Sequence, residues 1–414
     1  MRHIKERAAQ TPIPTTMTCI NHKSWRWFGT NDPITLEQIR QAGATGVVTA
    51  LNHIPTGAIW PSTDIAARKA EIEAAGLTWV VVESVPLHND IKTRSGDYQS
   101  LIENYCQSLT NLGEHGITTV CYNFMPVVDW TRTNLHYALP DKSEALRFDL
   151  VDFAAYDIFV LERQDAEGDY PAEVVERARA KHGLMSSDAI AELEKNIIAG
   201  LPGGEGSYDR AGILKAIHHF NQFNNDAYRE NLIAFLRAIL PSAERAGIKM
   251  VIHPDDPPFS LFGLPRVVST AEDVRKLVDA VPSAMNGLTL CAGSFGSRGD
   301  NNLIEIAEEF GDRIHFVHLR NIKREADGSF YESAHLEGDN DLVGLISTLL
   351  DLEFGSQDQT RQIVMRPDHG HTLTAEQNDP RLQPGYSYAG RMKGLAELRG
   401  VIHALSRVKS ATLG

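Results

Sequence analysis

Short apolar runs of four to six residues recur along the chain, and segments with a period of 3.6 lie between them. The runs cover 46–51, 78–83, 118–123, 249–253, 287–291, 313–318 and 362–366. They are rich in Val, Ile and Thr, and their near-continuous apolarity suits strands buried on both faces. Helical periodicity marks 35–42, 65–75 and 271–280, where apolar positions gather on one side of the turn. Gly76 follows Ala74 and Ala75, and Gly247 follows Arg245 and Ala246. A glycine there is the usual left-handed stop before the next strand. Strand, helix, glycine, strand is a repeating βα unit. Seven strands are clear, and a weaker eighth candidate lies at 145–149. About eight such units closed on themselves make an α/β fold of the TIM (β/α)8 barrel type. A doubly wound open sheet is the alternative, but no glycine-rich phosphate loop follows the first strand.

One stretch breaks the rhythm. Residues 150–215 are charged, Ala/Glu-rich and helical in pattern, and close on Leu201-Pro-Gly-Gly-Glu-Gly206. This is a helical insertion on one βα connection, with a lid, an oligomer contact or a solvated excursion as its candidate roles. Residues 1–23 are polar and irregular, and Met17 offers a second start. They are read as a poorly ordered extension, of which 1–16 fall outside the native protein if Met17 is the start, and 24–407 as a single catalytic domain.

Composition narrows the function. The 414 residues carry a formal charge of −14, a poor match to nucleic-acid backbones or anionic membranes. An acidic chain that binds a small acid needs a local arginine or lysine cluster. The four cysteines, Cys19, Cys106, Cys121 and Cys291, include no CxxC pair, so no disulfide framework is indicated. No apolar run is long enough for a membrane helix, and no signal-peptide core opens the chain. A reducing cytoplasm is the expected location.

The chemistry gathers where the late strands end. One run ends in His253-Pro-Asp-Asp-Pro-Pro258, the next in Cys291-Ala-Gly293, the third in His318-Leu-Arg320, and the fourth in Arg366-Pro-Asp-His-Gly-His371. Taken singly, each has a structural reading: a small core thiol, a hydrogen-bonded strand histidine, a turn aspartate. Jointly, four metal-competent tips on successive strands of a barrel form one ring around its mouth. His253, Cys291, His318 and Asp368 are therefore the expected metal ligands. Thiolate, imidazole and carboxylate together suit a borderline first-row ion rather than Mg²⁺ or Ca²⁺.

Other polar residues crowd the same end. Arg320 and Arg366 stand two residues from proposed ligands and are candidates to hold a substrate carboxylate, with a buried ion pair as the alternative for Arg366. His369 follows Asp368 and is placed to move protons. Tyr386 sits on the loop after the last strand; from the residues alone, loop packing is the simpler reading. Asn52 and His53 follow the first strand, Glu83 ends the second and Asn123 the third. Of these, His53 and Asn123 are carried as substrate contacts. Trp25-Arg-Trp-Phe-Gly29 is read as packing before the first helix, His371 as a supporting residue, and His218-His219 as surface.

Several blocks, in order, resemble one family. Trp25-Arg-Trp-Phe-Gly-Thr-Asn-Asp-Pro33, Gly43-Ala-Thr-Gly-Val-Val-Thr-Ala50, Val82-Glu-Ser-Val-Pro86 and Cys121-Tyr-Asn-Phe-Met-Pro126 with Asp129-Trp-Thr-Arg132 are similar to the mannonate dehydratases. So are His253-Pro-Asp-Asp-Pro-Pro258, Leu264-Pro-Arg266 and Met365-Arg-Pro-Asp-His-Gly370. The resemblance runs from about Trp25 to Ile402. It implies a xylose-isomerase-like TIM barrel, a Mn²⁺ or Fe²⁺ requirement, and dehydration of D-mannonate to 2-dehydro-3-deoxy-D-gluconate in hexuronate (glucuronate) breakdown. It places the family's metal ligands on His253, Cys291, His318 and Asp368, the set the strand tips give. It places the proton-transfer pair on His369 and Tyr386, without saying which is base and which acid. The insertion resembles a longer form of the family, and self-association into a homo-oligomer is an expectation. Competing readings are an aldose–ketose isomerase on the same barrel, a metal-dependent phosphodiesterase, which the acidic charge disfavours, and a sugar-acid-binding module without turnover.

Overall fold

The computed structural model describes residues 23–198, 209–356 and 361–413. Among these residues twelve strands form two sheets. The strands are β1 (Ser24–Arg26), β2 (Gly46–Thr49), β3 (Thr78–Glu83), β4 (Thr119–Tyr122), β5 (Asn134–Ala138), β6 (Glu144–Phe148), β7 (Lys249–Ile252), β8 (Asn286–Cys291), β9 (Ile314–His318), β10 (Asn321–Arg324), β11 (Phe330–Ser333) and β12 (Val364–Arg366). The larger sheet is parallel and runs β1-β2-β3-β4-β7-β8-β9-β12. It closes where Lys23 bridges Met365 in parallel and the Ser24 hydroxyl donates to the Met365 carbonyl at 2.7 Å. The result is an eight-stranded TIM barrel.

All seven expected runs are barrel strands, but the eighth strand is not the expected one. The segment at 145–149 falls in β6, which belongs to the smaller sheet, and the barrel is completed by β1. The Trp25–Gly29 stretch is therefore not mere packing before the first helix. It supplies a strand, and Lys23, assigned to the extension, already pairs with the barrel. The remainder of that extension and the Leu201–Gly206 run lie outside the described residues.

Barrel filling follows from strand alternation. Val48, Val81, Cys121, Val251, Phe316 and Val364, one each from six strands, form a buried layer across the axis. Thr289 on β8 donates its hydroxyl to the Cys121 sulfur at 3.3 Å. Each buried valine or phenylalanine of such a layer is worth about 1.5–3 kcal/mol. This dry plug seals the barrel beneath the strand tips, so the polar tip residues sit above an apolar floor. Helices pack outside. Two of them, Leu36–Gln41 and Ala271–Ala280, start with reciprocal capping boxes, from Thr35 with Gln38 and from Thr270 with Asp273. The long helix Asn225–Ala246 ends at Gly247, whose φ of 68° is the left-handed cap expected there. No described helix is long and apolar enough to cross a membrane.

The smaller sheet, β10-β11-β6-β5, is antiparallel and is built from excursions at the mouth. The β10/β11 hairpin leaves from the tip of β9, and the β5/β6 hairpin from the long connection after β4. Phe148 of β6 stacks on Phe330 of β11 with ring centroids 5.8 Å apart. Among its described residues the connection from β4 to β7 also carries helices Leu150–Ala155, Ala172–His182, Ser187–Ile198, Arg210–Phe220 and Asn225–Ala246. Bridges tie the loop after β12 to the smaller sheet: Glu144 pairs with Thr372, and within the loop Gly370 pairs with Tyr386. Gly370 is required by close approach. A Cβ there would stand 2.4 Å from the backbone of Gly390 and Arg391.

Candidate active site

The tips of β7, β8 and β9 bring His253, Cys291 and His318 together. One ligand atom from each lies within 4.8 Å of the others. His253 Nε2 is 3.2 Å from His318 Nδ1, and His253 Nδ1 faces the Pro254 carbonyl at 2.7 Å. Asp368 joins from the loop after β12, with Oδ2 3.8 Å from His318 Nδ1 and 4.0 Å from the Cys291 sulfur. Its φ of 67° is left-handed, a conformation aspartate adopts more readily than most residues. It turns the carboxylate back over the barrel.

Three of the four proposed ligands hold protonation states that suit metal binding; burial works to lower the fourth, His253, but Cys291 and Glu83 raise it to about 9, so a metal bound there displaces a proton. Burial works to raise the Cys291 thiol, but Arg320 and His253 outweigh it and bring the thiol below its ordinary value. Burial, then Arg366, holds His318 well below the usual imidazole range, which keeps it neutral. Burial also opposes the charge on Asp368, yet Arg366 and the neighbouring histidines hold it well below the usual carboxylate range. A soft thiolate, imidazoles and a carboxylate fit a borderline divalent ion. Among the described residues His318 Nε2, though buried, makes no hydrogen bond.

An alternating ring of arginines and carboxylates surrounds these residues. Arg320 Nε is 2.8 Å from Asp368 Oδ2, its Nη1 donates to Glu332 at 2.7 Å and its Nη2 to Asp256 at 2.5 Å. Arg366 Nη1 meets Asp368 Oδ1 at 2.6 Å and Nη2 meets Glu83 at 2.9 Å. Arg132, fully buried, reaches Asp256 at 2.8 Å and Glu332 at 3.2 Å. Arg26, at the tip of β1, stands 3.8 Å from Glu83. Its Nη1 is buried and without a hydrogen bond among the described residues.

His369 and Tyr386 face each other beside this ring. His369 Nε2 lies 3.3 Å from the Tyr386 hydroxyl and 3.7 Å from Asp368 Oδ1. Its Nδ1 is held by both oxygens of Glu332, at 2.8 and 2.9 Å. Trp130 stands edge-on to the imidazole, and Phe28 edge-on to the tyrosine, so both groups have apolar walls. Burial, offset in part by Arg366, pushes the Tyr386 phenol up to about 12, which keeps it a proton donor at neutral pH. Arg391 donates to the Tyr386 carbonyl at 2.9 Å.

Burial disfavours charge on Glu332, but His369, Arg320 and Arg132 bring its pKa from 4.5 to about 2. A depressed carboxylate stabilises the fold above its ordinary pKa and loses that contribution as pH falls. The gain is therefore present above about 4.5 and is lost as pH drops toward about 2. Its pH-dependent part is of order 3 kcal/mol. Thermal melts of the wild type and Glu332→Gln from pH 6 to pH 3 should show a gap that narrows toward the acid end. A constant gap would contradict the assignment.

His253, Cys291, His318, Asp368, His369, Tyr386, Arg320 and Arg366 are thus brought together. Asn123 directly follows β4 and is half-buried at the same end. His53 is not part of the cluster. It lies four residues past β2, is 58% exposed at its side chain, and pairs with Asp64 at 2.8 Å. Both Arg320 and Arg366 have their forks engaged by internal carboxylates. His371 is a supporting residue, donating through Nε2 to the Glu332 carbonyl at 2.9 Å. Sequence reasoning missed Glu332, Asp256, Arg132 and Arg26. Asp256 and Arg132 lie inside blocks quoted above for other reasons, and the alternation of Phe330 and Glu332 on one strand face was the available signal for the last carboxylate.

Comparison with known proteins identifies the family. The D-mannonate dehydratase (UxuA) family matches residues 21–412. A mannonate dehydratase from Saccharophagus degradans is 61% identical over 386 residues, covering 92% of this chain and 97% of its own. Mannonate dehydratase 2 from Agrobacterium fabrum is 51% identical over 387 residues, covering 93% and 97%. The crystal structure of mannonate dehydratase from Streptococcus suis serotype 2 superposes with a TM-score of 0.74 at 35% identity, covering 94% of each chain. With one family matched over nearly its whole length, and relatives alike from end to end, the chain belongs to the D-mannonate dehydratase family.

Proposed function

We propose that this protein is a metal-dependent hydro-lyase that converts D-mannonate to 2-dehydro-3-deoxy-D-gluconate and water, as a step of hexuronate (glucuronate) breakdown in the cytoplasm. The observation that carries the reading is the His369–Tyr386 pair, set at 3.3 Å beside the His253, Cys291 and His318 cluster. His253, Cys291, His318 and Asp368 would hold Mn²⁺ or Fe²⁺. Bound there, the ion supplies Lewis acidity for the negative charge that builds on the substrate when a proton leaves the carbon next to a carboxylate.

The chain's own residues supply the rest. A proton must leave C2 and a hydroxyl must leave C3. His369 and Tyr386 are the pair that exchanges these protons. The donor protonates the departing C3 hydroxyl, so that water leaves and a C2–C3 enol remains, which tautomerises to the 2-keto acid. Their 3.3 Å contact lets the proton gained by one pass back to the other and resets both. Arg320 and Arg366 hold Asp368 in place and spread positive charge over the mouth. Arg26, whose buried Nη1 makes no hydrogen bond among the described residues, and half-buried Asn123 are set to meet the acid and its hydroxyls. The apolar layer below and the Trp130 and Phe28 walls keep bulk water from quenching the intermediate.

The test is substrate class. The metal-loaded protein, offered D-mannonate or neutral aldoses such as mannose and xylose, should form a 2-keto-3-deoxy acid from mannonate and leave the aldoses unchanged. Aldose–ketose interconversion without dehydration would replace this reading with an isomerase.

A further inference from the structure

We propose that Glu332 is a positioning residue: it fixes His369 with its proton on Nδ1 and thereby makes Nε2 the atom that accepts the C2 proton, leaving Tyr386 as the acid. The inference rests on the proton-transfer role given above to His369.

Glu332 does not belong to the barrel. It sits on β11 of the mouth sheet, paired across to Ile322 of β10, and is 4% exposed. Alternation along β11 sends Phe330 and Glu332 to one face. Phe330 buries completely against Phe148, which delivers the carboxylate to the site. There Oε1 receives His369 Nδ1 at 2.8 Å, Arg320 Nη1 at 2.7 Å and Arg132 Nη2 at 3.2 Å, and Oε2 receives His369 Nδ1 at 2.9 Å. A carboxylate at that distance accepts an N–H, so the ring's other nitrogen keeps its lone pair. That nitrogen points at the Tyr386 hydroxyl. The Glu332 backbone carbonyl is latched in turn by His371, two residues from the imidazole it serves.

The proton balance follows. The C2–H electron pair stays on the substrate as the proton moves to His369 Nε2. The imidazolium so formed carries its charge against Glu332, a contact that strengthens as the transition state develops. Tyr386 gives its O–H proton to the C3 hydroxyl, which leaves as water with the electrons of the C3–O bond. The proton on Nε2 then returns to the tyrosinate. The two buried arginines do not exhaust the carboxylate charge, because Asp256 and Asp368 also bind Arg320.

Glu332→Gln keeps the shape and loses the charge. Its kcat on D-mannonate should fall about 10- to 100-fold, with KM within about threefold and bound metal unchanged. Glu332→Asp, which restores the charge one methylene back, should recover part of the loss. In a His369→Asn background the Glu332→Gln change should cost little more, because the two act as one unit. Wild-type kcat in Glu332→Gln while His369→Asn is inactive overturns this inference alone. So does an undiminished further loss in the double variant, which assigns Glu332 a purely structural part. Retained turnover in His369→Asn overturns the role of His369 and this inference with it.

Discussion

Replacing His369 with asparagine should lower kcat for D-mannonate by roughly 10³-fold, the scale of a lost proton-transfer group. Asparagine approximates the size and polarity of the imidazole but cannot take up a proton. The side chain is 4% exposed and is gripped on one ring nitrogen by Glu332 and faced on the other by Tyr386. Metal content should survive, because the cluster of His253, Cys291 and His318 is built from other strands. Steady-state kinetics with metal analysis of the same sample checks both. Turnover within tenfold of wild type would contradict the role, and loss of metal would move the effect to the metal site.

Arg320→Met has the largest expected effect on stability. Arg320 is 2% exposed and contacts Asp256, Glu332 and Asp368, with the Cys291 sulfur at 3.5 Å. Methionine fills much of the volume but leaves buried carboxylates short of a cation. Breaking such a network from one side costs about 3–5 kcal/mol, so Tm should fall by roughly 5–10 °C. Lysine should not rescue it, because a point charge cannot serve three carboxylates as a planar fork does. The chain also reserves space for this fork: a Cβ on Gly293 would lie 2.4 Å from Arg320 Nε. Differential scanning calorimetry of the methionine and lysine variants is the measurement, and unchanged melting in either would refute the account of the ring.

Particular residues show why some of this was legible in the sequence and some was not. His253, Cys291 and His318 each close a run of apolar strand residues, so position along the chain translated directly into position at the barrel mouth. His53 shows the limit of that rule. β2 ends at Thr49, and four residues beyond a tip the chain has already turned onto the exposed rim. β1 escaped notice because Ser24-Trp25-Arg26 is short and has no β-branched run. Its membership in the barrel rests on pairing with β2 and β12, which local pattern does not encode. The mouth sheet was hidden for the same reason. Asn321–Arg324 and Phe330–Ser333 are short and mostly polar, and the pairing of β11 with β6 joins Phe330 to Phe148, far apart along the chain. Glu332 reads locally as an ordinary surface glutamate. Tertiary pairing alone buries it against His369. Tyr386 was the converse: loop chemistry favoured packing, the family resemblance favoured catalysis, and the bridge between Gly370 and Tyr386 is what brings the hydroxyl over the mouth.

Under the proposed function, dehydration of mannonate occurs at a metal centre made by His253, Cys291, His318 and Asp368. The most direct test is a titration of chelator-stripped protein with Mn²⁺, or Fe²⁺ under anaerobic conditions, in the presence of D-mannonate. Metal binding and formation of the 2-keto-3-deoxy acid are followed together. The stripped protein should form no product, activity should saturate at about one equivalent of metal per chain, and both should be lost in Cys291→Ala. Product formed without metal, or full activity in Cys291→Ala, would contradict that reading.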